Sequence, residues 1–290
     1  MSYQVDNAII MAAGTSSRFA PLSFEMPKGL IPVKGEVLIE RQIRQLREAG
    51  IDEIILVVGY KKEEFAYLQD KYGVIMVENP WYETRNNNGS IYVAREYLHN
   101  SYICSSDNYF NINPFEKVVD DSYYAALYAN GQTAEWCMHT DEQGYINQVQ
   151  IGGENAWYML GHTFWNEEFS RTFCRILEEE FDLPETKDKL WEKIFMSHLD
   201  ELKMKVRQYA DTDIFEFDTL DELRQFDESY HDNTRSHIIK ALTNALHCHE
   251  REITDLKAVK TVDNTASGFT FVVHQNTYQF DYETRKYRRV

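Results

Sequence analysis

Gly14, Thr15, Ser16 and Ser17 follow the apolar run AIIMAA, Arg18 comes next, and Lys28 stands behind a proline further along. Small residues let backbone N–H groups approach an anion closely, and such a loop at the end of a strand can cradle phosphate. Arg adds a planar fork of donors and Lys a compact charge, so the two can divide a polyphosphate between them. Taken singly, the loop is equally a plain tight turn, and most Arg and Lys residues are solvated surface groups. The spacing matches neither a P-loop nor G-x-G-x-x-G. Asp107 closes the run SYICSSD, where a carboxylate can hold a hard cation or merely cap a helix. Asn86 and Asn87, with Ser90 behind them, carry groups that can both donate and accept hydrogen bonds, although NNNG is also a strong turn sequence. No Ser-His-Asp or Cys-His set is visible.

The elements that would position these groups can be read from the hydrophobic pattern. AIIMAA, EIILVVG and VIMVEN are short continuous apolar runs, suited to strands buried on both faces. Between them lie helical patterns, Leu38, Ile39, Ile43 and Leu46 ending at Gly50, and KEEFAYLQDKYG ending at Gly73. Strand, helix, strand, helix, strand predicts a doubly wound α/β, Rossmann-like sheet, mainly parallel. IYVAREYL reads as a further helix. From Tyr123 to Trp165 alternation with turn signals at Asn130-Gly131, Glu142-Gln143-Gly144 and Gly152-Gly153 predicts antiparallel strands, making the sheet mixed. Helices are expected over about 167–180 and 187–202, and a strand entering a helix at Asp218-Thr219. After His231 come an amphipathic helix, IIKALTNALHCHE, and two strand-like pieces, TVDNTASGFTFVVHQ and TYQFDYET. The expected organisation is a domain over 1–230 and a small α+β domain over 231–290.

A formal net charge of -17 over 290 residues argues against a general grip on nucleic acid or an anionic membrane, so any phosphate site must be locally basic. No apolar run is long enough to span a bilayer. Four separated cysteines without a C-x-x-C pair, and an N-terminus without a basic n-region or cleavage site, lead us to expect a cytoplasmic protein. His247-Cys248-His249 would place two His at i, i+2 on a helix, which share no face, and this argues against a metal there.

The pattern A-A-G-x-x-x-R-x-x-P-L-x-x-x-x-P-K-x-L-x-x-V-x-G resembles the signature of the nucleotidyltransferases that make NDP-sugars and CDP-alcohols. Ala12, Ala13, Gly14, Arg18, Pro21, Leu22, Pro27, Lys28, Leu30 and Gly35 match. The resemblance implies that the loop of Ala12, Ala13, Gly14, Thr15, Ser16 and Ser17, with Arg18, holds the nucleoside triphosphate, and that Lys28 contacts phosphates at the reacting centre. Ser16 departs from it, standing where the family has a second Gly. ENPWYETRNNNGSIYVAREYL, NSYICSSDNYF and AEWCMHTDEQGYINQVQIGGENAWYMLGHTFW narrow the likeness to bacterial CTP:phosphocholine cytidylyltransferases, over about residues 6–228. By that likeness Asn86, Asn87 and Ser90 lie beside the base and ribose, and Asp107 holds Mg²⁺. The second metal carboxylate would be Glu192, with Asp188 a competitor. CTP and phosphocholine are then the expected substrates.

For the acceptor, a quaternary ammonium is attracted by aromatic faces and a nearby carboxylate. Glu135-Trp136 matches that branch, and Tyr158 and Trp191, with Trp157, Trp165 and Tyr82, can complete a cage. A 2-aminoethylphosphonate or sugar-1-phosphate enzyme is the alternative within the same chemistry. A nucleotide-binding regulatory protein is the alternative from another class, favoured by Ser16 and Glu192. The tail faintly resembles the first strands of a choline-kinase N-lobe; a packing or dimerising appendage, consistent with a possible homodimer, is the equal reading.

Overall fold

The computed structural model describes residues 2–261 and 265–290. Contacts divide the chain into two compact units, Met1–Gly14 with Leu38–Glu216, and Thr15–Val37 with Phe217–Val290.

The first unit contains the mixed sheet. Its strands are β1 (Asn7–Ala12), β2 (Glu53–Val58), β3 (Ile75–Glu78), β4 (Ser101–Ser105), the short β5 (Asn108–Phe110), β6 (Tyr123–Thr140), β7 (Ile146–Trp165), β8 (Lys205–Gln208) and the short β9 (Ile214–Glu216). Seven of them lie in the order β8-β6-β7-β4-β1-β2-β3, with β1 parallel to both β2 and β4, and β6 antiparallel to β7. The apolar runs behave as buried parallel strands should: Ala8, Ile9, Ile10, Ile55, Leu56 and Val57 are fully buried. Helix Leu38–Glu48 buries its apolar stripe, and helix Tyr67–Tyr72 ends on Gly73 in the left-handed region, φ 60°. Helix Glu167–Glu180 starts on Asn166, whose side chain accepts the Phe169 N–H.

Two expectations need correction. Residues 123–165 form only two long strands, turning at 141–145. Asn130-Gly131 and Gly152-Gly153 are places where the β6–β7 register shifts, with Gly131 at φ 89° and Gly152 at φ 79°. At both shifts the extra residue lies on β6, where Ala129 to Gln132 and Thr133 to Trp136 each face one residue fewer on β7, so the pairing bulges instead of reversing. The helix expected over 187–202 spans only Trp191–Ser197. Carbonyls just before it are taken by side-chain amides of Asn86 and Asn88, which hold that segment out of the helix.

The second unit contains helix Leu220–Phe226, helix His237–Leu246 and a four-stranded antiparallel sheet of β10 (Thr254–Lys260), β11 (Ala266–Val273), β12 (Asn276–Asp281) and β13 (Lys286–Arg289), in that order. β10 and β13 were not anticipated, and residues 262–264 of the first expected piece lie outside the described residues. The helix stops at Leu246 with His247 left-handed at φ 51°, so His247-Cys248-His249 lies beyond it. Arg224, almost fully buried, ties this unit together by donating to the carbonyls of Tyr230, Glu250 and Ile253.

Candidate functional site

In the second unit, Ser17–Phe19 form a short 3-10 turn entered through Ser16 at φ 46°. That positive φ gives the physical reason a glycine suits this position, and Ser occupies it at a cost of roughly 1 kcal/mol. Lys28 is 5% exposed, with its ammonium 5.6 Å from the centre of the Phe19 ring. Arg18 is 72% exposed. Both reach one carboxylate, Asp218, at 2.5 Å from Arg18 Nη1 and 4.0 Å from Lys28 Nζ. Both cations thus converge on one carboxylate, which marks the place where a polyanion would meet them.

Asp218 is itself held, because its N–H donates to Glu222 Oε2 while Thr219 and Glu222 form a capping box on helix Leu220–Phe226. Thr219 is thus the cap, and Asp218 is left for the cations. In the sequence Asp218 marks only the place where a strand enters a helix; its partners lie some 190–200 residues away in the chain, and no local signal marks them.

In the first unit, Asp107 sits half-buried in the turn between β4 and β5. Gln42, buried on helix Leu38–Glu48, donates to the carbonyls of Ser105 and Asn108 at 2.8 and 3.0 Å, fixing both sides of that turn. β5 pairs with β9 so that Asn108 faces Glu216, and Asn108 Nδ2 donates to Glu216 Oε2 at 3.2 Å. Glu216, which sequence reasoning passed over, is therefore in register with the neighbour of Asp107. The carboxylate oxygens of Asp107 and Glu216 are the hard donors that Mg²⁺ takes, one or two at a time, beside phosphate oxygens. Among the described residues no group of three or more His, Cys, Asp or Glu forms a metal cluster.

Near Glu216 opens a cavity of about 160 Å³, lined also by Asn87, Tyr124, Thr163, Trp191 and Glu192. The Tyr124 and Trp191 rings stack at 5.7 Å with 16° between planes. Glu192 accepts from Asn87 Nδ2 and from Tyr124 OH, each at 3.2 Å. Burial nevertheless outweighs these bonds and pushes its carboxyl up to about 7. Thr163 Oγ1 and Trp191 Nε1 are buried without a hydrogen-bond partner, and both residues line the same cavity. Buried polar atoms of this kind suit a ligand that brings its own donors and acceptors.

The Asn run is engaged within the chain, across to residues 186–192. Asn86 donates from its backbone to Lys187 O and from its side chain to Asp188 O. Asn87 Oδ1 accepts the Trp191 N–H at 2.7 Å, and Asn88 Nδ2 donates to Thr186 O and Lys189 O. Three consecutive amides thus strap residues 186–192, and Ser90 is buried against Asn79 at 3.2 Å. Of the expected acceptor groups the cavity gathers Trp191, and beside it stands Glu192, expected at the metal. Glu135 is exposed on the long hairpin, Trp136 is half-buried opposite Ile151, and neither they nor Tyr158 line it. Burial, and after it the Glu135 charge, raises the Tyr158 phenol. Trp165 packs among Phe169, Phe173 and Trp191 in the core, so it is no cage wall.

The raised Glu192 makes stability fall with pH. Between its usual value of 4.5 and about 7 the folded protein holds a proton that the unfolded chain has released. The contribution is therefore fully present below the lower value and lost as pH rises through the upper one. Glu192→Gln removes this slope, and urea unfolding from about pH 5 to about pH 8 should show the variant gaining on the wild type as pH rises. A constant difference between the two would contradict the assignment.

Residues 8–110 match the model of the MobA-like NTP transferase domain. A choline-phosphate cytidylyltransferase of Streptococcus pneumoniae is 33% identical over 76% of this chain and 96% of its own. A 2-aminoethylphosphonate cytidylyltransferase of Lancefieldella rimae is 33% identical over 77% and 93%, and a choline-phosphate cytidylyltransferase of Haemophilus influenzae 31% identical over 82% and 97%. The solved structure of CTP:phosphocholine cytidylyltransferase from Streptococcus pneumoniae aligns with a TM-score of 0.74 at 32% identity, over 78% of this chain and 99% of that one. No helix among the described residues is long and apolar enough to cross a membrane.

Proposed function

This chain belongs to the family of cytidylyltransferases that includes the choline-phosphate and 2-aminoethylphosphonate enzymes, and on that premise we propose that it transfers CMP from CTP to phosphocholine. A phosphate oxygen of the acceptor attacks the α-phosphorus in line, the bond to the β-phosphate oxygen breaks, and CDP-choline and pyrophosphate result. No protein base is needed, since a phosphate monoester with a second pKa near 6 is already mostly dianionic at neutral pH.

Arg18 and Lys28 hold the triphosphate, Lys28 doing so from a desolvated position where its charge counts most. Asp107 and Glu216 would hold Mg²⁺, with Glu192 left to the acceptor cavity. Bound there, the ion would supply charge neutralisation on the phosphates. Asn87 keeps Glu192 and the start of helix Trp191–Ser197 in place, excluding water from the cavity wall.

The observation that carries the choice of acceptor is the stacked Tyr124–Trp191 pair beside the Glu192 carboxylate, aromatic faces and an anion being what attracts a quaternary ammonium. Glu135, Trp136 and Tyr158 on the hairpin are further groups of that character. The second reading is 2-aminoethylphosphonate, the acceptor named for a relative that is 33% identical over 77% of this chain. We also take residues 1–230 as the transferase domain and 231–290 as a small C-terminal domain, in a cytoplasmic protein that can form a homodimer.

The test is pyrophosphate release by the full chain with Mg²⁺ and CTP, comparing phosphocholine, 2-aminoethylphosphonate and glucose-1-phosphate. Highest kcat/KM with phosphocholine supports the proposal. Preference for 2-aminoethylphosphonate transfers the cavity to a primary ammonium, and CTP binding without turnover favours a regulatory protein.

A further inference from the structure

The relatives are matched over 93–97% of their own length yet cover 76–82% of this chain. Residues of the C-terminal segment are built onto the signature segment. Glu25 Oε1 accepts the N–H groups of His237 and Ile238, at 2.8 and 3.1 Å. These are first-turn donors of helix His237–Leu246, without intrahelical acceptors, at the end where the macrodipole favours negative charge. Phe24 stacks on Tyr282, centroids 3.8 Å apart and planes 5° from parallel. Phe24 and Glu25 both belong to the helix Leu22–Glu25, which has four residues and no side-chain cap of its own. A single turn of helix is not self-supporting. Its conformation is set by what it rests on, and residues 237–238 and 282 are among its supports. It stands in the chain between Arg18 and Lys28.

We propose that the C-terminal segment 231–290 is a positioning element for the triphosphate-binding segment, acting through Glu25 and Phe24. The proposal rests on the nucleotidyl-transfer reading above. Loosening these contacts lets Arg18 and Lys28 sample arrangements that do not bind CTP, and apparent affinity falls in proportion to the competent fraction. The acceptor makes no use of this segment, so its KM stays where it is.

The experiment compares Phe24→Ala, Phe24→Tyr and Glu25→Ala with wild type in the full chain. It reads kcat, both KM values, and amide hydrogen exchange over residues 15–34. Phe24→Ala is expected to raise KM for CTP roughly five- to tenfold, the range of a lost aromatic pair. Its KM for phosphocholine should stay within about twofold, exchange over 15–34 should quicken, and Phe24→Tyr, which keeps the ring, should behave as wild type. Glu25→Ala should move the same quantities in the same direction and covers the case in which Phe24→Ala does not fold. An equal rise in both KM values, a fall in kcat alone, or exchange unchanged over 15–34 in both alanine variants overturns the proposal. If wild type shows no turnover with any acceptor, the functional reading fails, while CTP binding and exchange still decide the positioning role.

Discussion

Lys28→Met lowers kcat for pyrophosphate release by about 10²- to 10³-fold, the loss typical when one preorganised partner of a developing charge is removed. Met keeps the length and apolar bulk of the lysine stem, so the side chain still fills its buried place beside Phe19 and only the ammonium is lost. Asp218 keeps Arg18 as a partner at 2.5 Å. The unfolding midpoint is therefore expected to shift little. The effect belongs to kcat because negative charge on the departing pyrophosphate grows in the transition state, where a desolvated cation gains most. Single-turnover release at saturating CTP checks it. A rise in KM with kcat intact would make Lys28 an anchor for ground-state triphosphate. Arg18→Met should show that pattern more, since an exposed guanidinium acts through high dielectric.

What could be anticipated from the chain alone depends on the range of the interactions concerned. AIIMAA, helix Leu38–Glu48, the Gly73 end and helix Glu167–Glu180 each depend on periodicity and capping within a dozen residues, and they came out as expected. The helix expected over 187–202 lost its first turn to amides from Asn86 and Asn88, about a hundred positions earlier, which no window over residues 187–202 contains. Asn86 and Asn87 illustrate the same limit from the other side. Their donor and acceptor capacity was recognised, but composition does not say whether a ligand or a backbone carbonyl will use it. Glu216 and Asp218 flank Phe217 in a stretch that reads as an ordinary strand entering a helix. Only pairing of β9 with β5, and the separate meeting of Asp218 with Lys28 and Arg18, marks them as site residues.

Asp107→Asn abolishes most of the activity, by about 10³-fold in kcat/KM, and it distinguishes among the carboxylates. Asn is at home in a turn, and the Gln42 bonds that fix this one go to the carbonyls of Ser105 and Asn108, so the backbone around position 107 keeps its shape. What disappears is one negative charge and one hard oxygen donor. If Asp107 and Glu216 together hold the cation, Asp107→Asn and Glu216→Gln should each raise the Mg²⁺ concentration needed for half-maximal rate, and the double variant should cost little more than either single one, because residues acting as one unit are not additive. Glu192→Gln should leave the Mg²⁺ dependence unchanged and act on KM for the acceptor, since its oxygens are already engaged by Asn87 and Tyr124 at the cavity wall. Titrating Mg²⁺ against rate for the three single variants and the double separates the possibilities. A shifted Mg²⁺ requirement in Glu192→Gln but not in Glu216→Gln would return the second metal position to Glu192, and the acceptor's ammonium would then have to be sought along the hairpin, at Glu135 and Trp136.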